Sequence, residues 1–142
     1  MSMECKNIFG SISIGIQTDD LGSLIDEIKN GIPYTSFEIL QKTVGISQKS
    51  LANAINIKNR TLSRRRRELK FHSDESERLL RIGRIVDRTL GLMGNDIKLT
   101  KEWLTSPAIA LGGKTPLEFA DTEPGANEVT TLIGRLEHGV FS

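Results

Sequence analysis

Four residue positions constrain this chain more than any bulk property. Between Ser47 and Leu69, a small residue, a turn-tolerant residue and two apolar residues stand at fixed distances: Ala52, Asn56, Ile57 and Leu62. Two short helices that cross closely need a small side chain at the crossing, and Ala52 supplies it between Leu51 and Ile55. The chain must then reverse through a residue that tolerates positive φ, where Gly is the usual choice and Asn the next best. Ile57 plugs the turn and Leu62 anchors the second helix. The spacing predicts a helix capped by Ser47, a turn at Asn56, and a second helix capped by Asn59 with Leu62 and Leu69 inward. That arrangement is a helix-turn-helix.

The flanking sequence reads as more short helices, and the fold class is all-α. Leu21–Asn30 places Leu21, Leu24, Ile25 and Ile28 inward and stops at Gly31-Ile32-Pro33. Thr35 or Ser36 caps a segment with Phe37, Leu40 and Val44 at helical spacing, ending at Gly45. A longer helix starts at Ser73 or Asp74 and runs to about Met93, with Leu79, Ile82, Val86, Leu90 and Met93 as its apolar stripe. Thr100 starts another, with Trp103 and Leu104 as core, stopped by Ser106-Pro107. Leu111–Pro116 is a turn, Pro116–Ala120 a single helical turn, and the last helix carries Val129, Leu132, Ile133 and Leu136 on one face. Residues 1–20 are weakly patterned and read as flexible or as a short arm. Only Ser11–Ile16 alternates with period two. The expected organisation is an arm and short helix over residues 1–35, a helix-turn-helix over 36–72 and a second helical domain over 73–142.

The charge is segregated along these same divisions. The net charge of +1 is made of −3 over residues 1–35, +7 over 36–72 and −3 over 73–142. A basic block between acidic ones is a localised footprint for a polyanion. With Leu62 set at zero and about 100° per residue, Leu69 falls beside it and Arg60, Arg64 and Arg67 fall opposite. Thr61 and Ser63 lie on the flanks near the N-terminal end, which meets base edges in this motif. Arg suits guanine through its bidentate fork and also suits phosphate. The expected base contacts are Arg60, Thr61 and Arg64, with Ser63 beside them. The expected phosphate contacts are Lys58, Arg67 and Lys70. Arg65 and Arg66 flank the core stripe, and are expected to pair with Asp74, Glu75 or Glu77 at the start of the next helix. A solvated basic face is the alternative, and the Ala52–Asn56–Ile57 spacing weighs against it.

Other chemistries find little support. The single cysteine, Cys5, allows no intrachain disulfide and no Cys-clustered metal site, which fits a reducing compartment. No apolar run approaches the roughly 18–20 residues of a membrane span, and the N-terminus lacks a signal peptide's pattern, so the expected location is the cytoplasm. Gly113-Lys114-Thr115 resembles the end of a phosphate loop, but Ala108 stands where the first Gly belongs and Pro116 follows at once. A Gly-rich turn is the better reading. Arg78, Arg81, Arg84 and Arg88 form a stripe expected to be solvated, with Glu77–Arg81 and Arg84–Asp87 pairs. His72 and His138 are isolated, no catalytic arrangement is visible, and no cofactor, metal or enzymatic activity is expected.

The second half resembles a known family. Asp74-Glu75-Ser76-Glu77-Arg78-Leu79-Leu80-Arg81, Trp103-Leu104-Thr105-Ser106-Pro107, Leu111-Gly112-Gly113-Lys114-Thr115-Pro116-Leu117, Asp121-Thr122-Glu123-Pro124-Gly125 and Leu132–Phe141 occur in order. Together they resemble the toxin-binding domain of the Xre/MbcA/ParS antitoxins. Arg60-Thr61-Leu62-Ser63-Arg64-Arg65 fits the Xre-like helix-turn-helix that precedes it in that family. The resemblance covers about residues 36–142. It implies a type II antitoxin whose C-terminal domain occludes the active site of a cognate RES-type, NAD-depleting toxin, and whose helix-turn-helix represses its own operon. A homodimer on DNA is expected, and because two-fold readers place their recognition helices about 34 Å apart, so is an inverted-repeat operator. Arg135, His138, Val140 and Phe141 are the expected toxin contacts, with Phe141 either inserting into the toxin or folding back onto its own core. The competing reading is a plain repressor whose C-terminal domain senses a ligand or dimerises, with no toxin.

Overall fold

Helices begin where the free N–H groups of a first turn can be satisfied, and this rule places most elements of the computed structural model, which describes residues 9–139. Asp20 accepts from the amides of Gly22 and Ser23 and starts α1 (Leu21–Asn30). Ser47 accepts from Ser50 N–H and starts α3 (Gln48–Ala54). Thr115 and Glu118 cap α7 (Pro116–Phe119) reciprocally, and Thr122 starts α8 (Glu123–Glu137). The turn expected at Gly113-Lys114-Thr115 is therefore the entry to α7.

Three starts differ from expectation. Helix α2 (Tyr34–Val44) begins before Thr35 and Ser36, because the Tyr34 N–H donates to Leu69 O at 3.0 Å and needs no side-chain cap. Lys58, not Asn59, precedes α4 (Asn59–Glu68). Helix α5 (Ser73–Leu92), by contrast, starts at Ser73 as expected, and its Glu75 carboxylate accepts the N–H of the preceding His72 at 2.8 Å. Asp96 caps α6 (Ile97–Thr105), and Thr100 is a buried interior residue whose hydroxyl donates back to Asp96 O.

The largest difference is at Leu69. It is 74% exposed with φ of 69°, and is no part of the core stripe. Helix α4 ends one residue earlier because the chain must turn sharply there. Beyond the turn, Lys70 bridges to Pro33 and Phe71 N–H donates to Ile32 O at 2.9 Å. That pairing delivers Phe71 into an aromatic cluster, its ring 5.4 Å from Tyr34 and 6.1 Å from Phe37. Aromatic packing of this kind outweighs the roughly 1–2 kcal/mol cost of one left-handed residue.

Residues 9–18 are not a loose arm. Strands β1 (Phe9–Ser11) and β2 (Ile16–Thr18) form an antiparallel hairpin around a 3-10 turn at Ile12–Ile14. Ile14 is fully buried, and the amides of Ile12 and Ser13 donate to Asp87 on α5. Gly83 permits this approach, since a Cβ there would lie 2.6 Å from Ser11 Oγ. The fold is all-α apart from this hairpin.

Helix α5 lies at the centre, buried on several faces, and polar groups fix each neighbour's position on it. Arg78 Nε donates to Ile55 O at 2.7 Å, and Arg81 donates to Asp121 O at 3.3 Å. Arg88 pairs with Glu137 at 2.6 Å. Three of the four arginines expected to be solvated, Arg78, Arg81 and Arg88, are therefore tertiary anchors, whereas Arg84 is exposed and its expected partner Asp87 holds the hairpin.

The most buried ion pair joins α4 to α5. Arg65 is 6% exposed, and its Nε donates to Glu75 Oε1 at 2.7 Å. Its other nitrogens reach Glu68 at 3.0 Å and His72 Nδ1 at 3.2 Å. Arg66 is exposed with no ion-pair partner among the described residues, so only one of the two expected arginine anchors exists. Burial alone would push the Glu75 carboxyl up, but the Arg65 hydrogen bond, the His72 amide and the Arg65 charge outweigh it and hold it below the ordinary carboxylate range.

Two outcomes follow for thermal and acid denaturation. Arg65→Ala strands a buried carboxylate and lowers stability by about 3–5 kcal/mol, whereas Arg66→Ala stays within about 0.5 kcal/mol; equal losses would place the anchor elsewhere. The folded Glu75 carboxyl titrates lower than the unfolded one, so its stabilisation is complete above about pH 4.3 and is lost as pH falls through the folded value. Glu75→Gln removes that acid-side dependence, visible as a flatter melting temperature between about pH 5 and 3.

Candidate nucleic-acid and toxin interfaces

Helices α3 and α4 form the predicted helix-turn-helix. Ala52 is buried where they cross, and Asn56 turns the chain with φ of 55°. Ile57 N–H donates to Ala52 O at 2.9 Å, which draws its side chain under the turn. Asn56 does more than tolerate the turn. Its Nδ2 donates to Asp121 O at 2.8 Å, the same carbonyl that receives Arg81. The turn is thus tied to the segment between α7 and α8.

Loss of Leu69 from the stripe rotates the face of α4. Its buried residues are Leu62 and Arg65, with Thr61 half-buried. With Leu62 at zero, Arg65 falls near 300° and Thr61 near 260°. The direction opposite their centre passes through Ser63, Arg67 and Arg60, all exposed. Arg64 is also exposed, toward one flank. Lys58 lies at the helix entrance. Lys70 is exposed but sits beyond the helix, in the segment paired with Pro33. Among the expected DNA contacts, then, Arg60, Ser63, Arg64 and Arg67 share one helical surface, Lys58 adjoins it, Thr61 is partly withdrawn and Lys70 belongs to another element.

Gln48 and Lys49 were missed. They stand exposed at the start of α3, and the first helix of this motif crosses the nucleic-acid backbone. Their position just after the Ser47 cap could have signalled this.

The C-terminal segment presents a different surface. Arg135 and His138 are exposed near the end of α8, and His138 Nδ1 lies 2.7 Å from Gly134 O. Val140 and Phe141 lie outside the described residues. Trp103 was expected in the core but is half-buried. It lines a shallow depression with Met93, Leu99, Pro107 and Ala108. Ile97 and Leu99 are exposed on the same helix, and Ile109 is 98% exposed at the following turn. Backbone hydrogen bonds of Ala108 with Lys114 and Gly113 close that turn. Sequence periodicity misses this apolar strip because it starts the helix at Thr100, which leaves Ile97 and Leu99 outside it. Among the described residues no group of His, Cys, Asp and Glu could hold a metal ion.

Comparison with known proteins agrees with this division. Residues 23–84 match the family described as Antitoxin Xre-like helix-turn-helix domain. Residues 91–139 match Antitoxin Xre/MbcA/ParS C-terminal toxin-binding domain. An Antitoxin Xre of Yersinia enterocolitica is 37% identical over 130 residues, 91% of this chain and 88% of that relative. An Antitoxin Xre of Photorhabdus laumondii is 34% identical over 116 residues, 81% of this chain and 78% of that relative. A Sphingobium protein named Prs ADP-ribosylating antitoxin is 24% identical over 127 residues, 83% of this chain and 80% of that relative. The chain belongs to the Xre antitoxin family, as an antitoxin with an Xre-like helix-turn-helix domain followed by a toxin-binding domain.

Proposed function

We propose that this antitoxin works at two surfaces: α4 binds operator DNA and represses the antitoxin's own operon, while the C-terminal segment occludes the active site of a RES-type, NAD-depleting toxin. The observation that carries the DNA half is the exposed arginine face of α4, held outward by the buried Arg65–Glu75 pair. Arg60 and Arg64 read bases, with Ser63 between them and Thr61 at the edge. Lys58 and Arg67 hold phosphates, and Lys70 adds charge from the adjoining segment. The protein acts in the cytoplasm as a homodimer on an inverted repeat, with half-sites about 34 Å apart.

The toxin half rests on the family's toxin-binding domain and on where exposed apolar side chains gather. Arg135 and His138, together with Val140 and Phe141, enter the toxin. The strip of Ile97, Leu99, Trp103 and Ile109 supplies the apolar contact that a soluble monomer rarely leaves in water. The RES assignment follows the sequence resemblance. The Sphingobium relative's name joins an antitoxin to Prs ADP-ribosylation, and the two chemistries differ in product. Co-expression with the neighbouring open reading frame should protect cells from NAD loss without stable ADP-ribosylated protein. Accumulation of such protein would reject the RES assignment.

Salt titrations of DNA binding separate the residue roles. Arg67→Ala should weaken binding to all sequences and lower the slope of log affinity against log salt by about one. Arg60→Ala should cost about 1–3 kcal/mol on the operator and relax specificity at one position. Unchanged affinity in both would exclude α4 as the reading helix. For the toxin half, truncation after Gly139 should abolish neutralisation at an unchanged melting temperature. Retained neutralisation would leave the apolar strip as the main contact.

A further inference from the structure

One groove of the molecule plays no part in either surface. It measures about 520 Å³ and lies between α1, α5 and α8. Its floor is apolar, made by Leu24, Leu80, Ile85 and Ala126, all buried. Along its α1 rim, Leu21 and Ile25 are 49% and 41% exposed. These are two of the four α1 residues that the sequence placed inward, and none of the described residues covers them.

The groove is also polar along its length. Helix α1 runs antiparallel to α5, since Ile32 N–H, just past the end of α1, donates to Ser76 Oγ near the start of α5. Helix α8 runs the same way as α5, since Arg81 meets Asp121 and Arg88 meets Glu137. One end therefore places Arg84 beside Leu21, next to Arg88, whose charge is already met by Glu137. The other end gathers Glu77 and Glu123 beside Ile28. Arg84, Glu77 and Glu123 are exposed and have no ion-pair partner among the described residues. Between the two ends, Arg81 Nε is buried with no acceptor among the described residues.

An apolar groove that is cationic at one end and anionic at the other is complementary to itself under a two-fold rotation. Turning a second copy by 180° about the middle of the groove lays its acidic end on the first copy's basic end, and the reverse. The rim of one copy, Leu21 and Ile25, then covers the floor of the other. That is the requirement for an isologous interface, in which one patch serves both subunits. We infer that the α1–α5–α8 groove is the surface through which two copies of this chain pair. The inference rests on the proposal that the antitoxin is a homodimer, and it assigns that dimer to a face away from the exposed arginines of α4.

Sedimentation velocity on charge-reversed variants tests it. Arg84→Glu places a carboxylate against Glu77 of the mate, and Glu77→Arg places a cation against Arg84. Each variant alone should dissociate with a Kd raised at least ~tenfold, because like charges oppose each other twice in a two-fold interface. An equimolar mixture of the two should recover dimers, since both juxtapositions become attractive in the heterodimer. Both side chains lie at the surface, so circular dichroism should show folded monomers. A wild-type dimer unaffected by either variant would overturn the groove assignment and leave the homodimer proposal standing. A wild-type chain that stays monomeric at 100-fold above its operator-binding concentration would overturn both. Loss of toxin capture with unchanged self-association would give the groove to the toxin and overturn the inference.

Discussion

A buried guanidinium decides which way the exposed arginine face of α4 points. Four consecutive arginines span more than one helical turn, so at least one must turn inward. Arg65 does so, and only Glu75 on α5, with Glu68 and His72, makes that burial tolerable. A buried ion pair adds little net stability over an apolar contact of the same shape, yet removing one partner is costly. Its value here is orientation. With Arg65 locked against α5, the remaining charged positions of α4 can only face outward.

The same helix that holds Arg65 organises everything else. Helix α5 receives the first helix of the motif through Arg78 and Ile55, the hairpin through Asp87, and α8 through Arg81 and Arg88. Asn56 completes the circuit from the turn of the motif to Asp121. The two family-defined segments thus share α5 and a common carbonyl, and are packed against each other by hydrogen bonds. The hydrogen bond from Asn56 to Asp121 O links the segment before α8 to the turn that precedes α4.

What was legible in the sequence was local. Ala52, Asn56, Ile57 and Leu62 had to be small, φ-tolerant, apolar and apolar for two short helices to cross, and they are. Leu21–Asn30 carried its own start and stop signals and folds within those bounds. What was not legible depended on partners distant in sequence. Leu69 looked helical by period, but the pairing of residues 70 and 71 with Ile32 and Pro33 pulls it into a left-handed turn. Ser11–Ile16 is too short to declare itself a hairpin and becomes one against Gly83 and Asp87. Arg78, Arg81 and Arg88 have the composition of a solvated stripe, and only the position of α8 and of Ile55 turns them into anchors. The apolar strip around Trp103 escaped for the opposite reason, since its residues have core identities and none of the described residues covers them.

The most direct measurement is a heteronuclear NMR titration of the antitoxin with a duplex from upstream of its own operon. The account predicts that amide and side-chain shifts concentrate at Lys58, Arg60, Ser63, Arg64 and Arg67, while the Arg65 Nε–H resonance keeps its position and stays protected from exchange with water. Shifts confined to residues 97–114, or release of the Arg65 Nε–H on DNA binding, would contradict it.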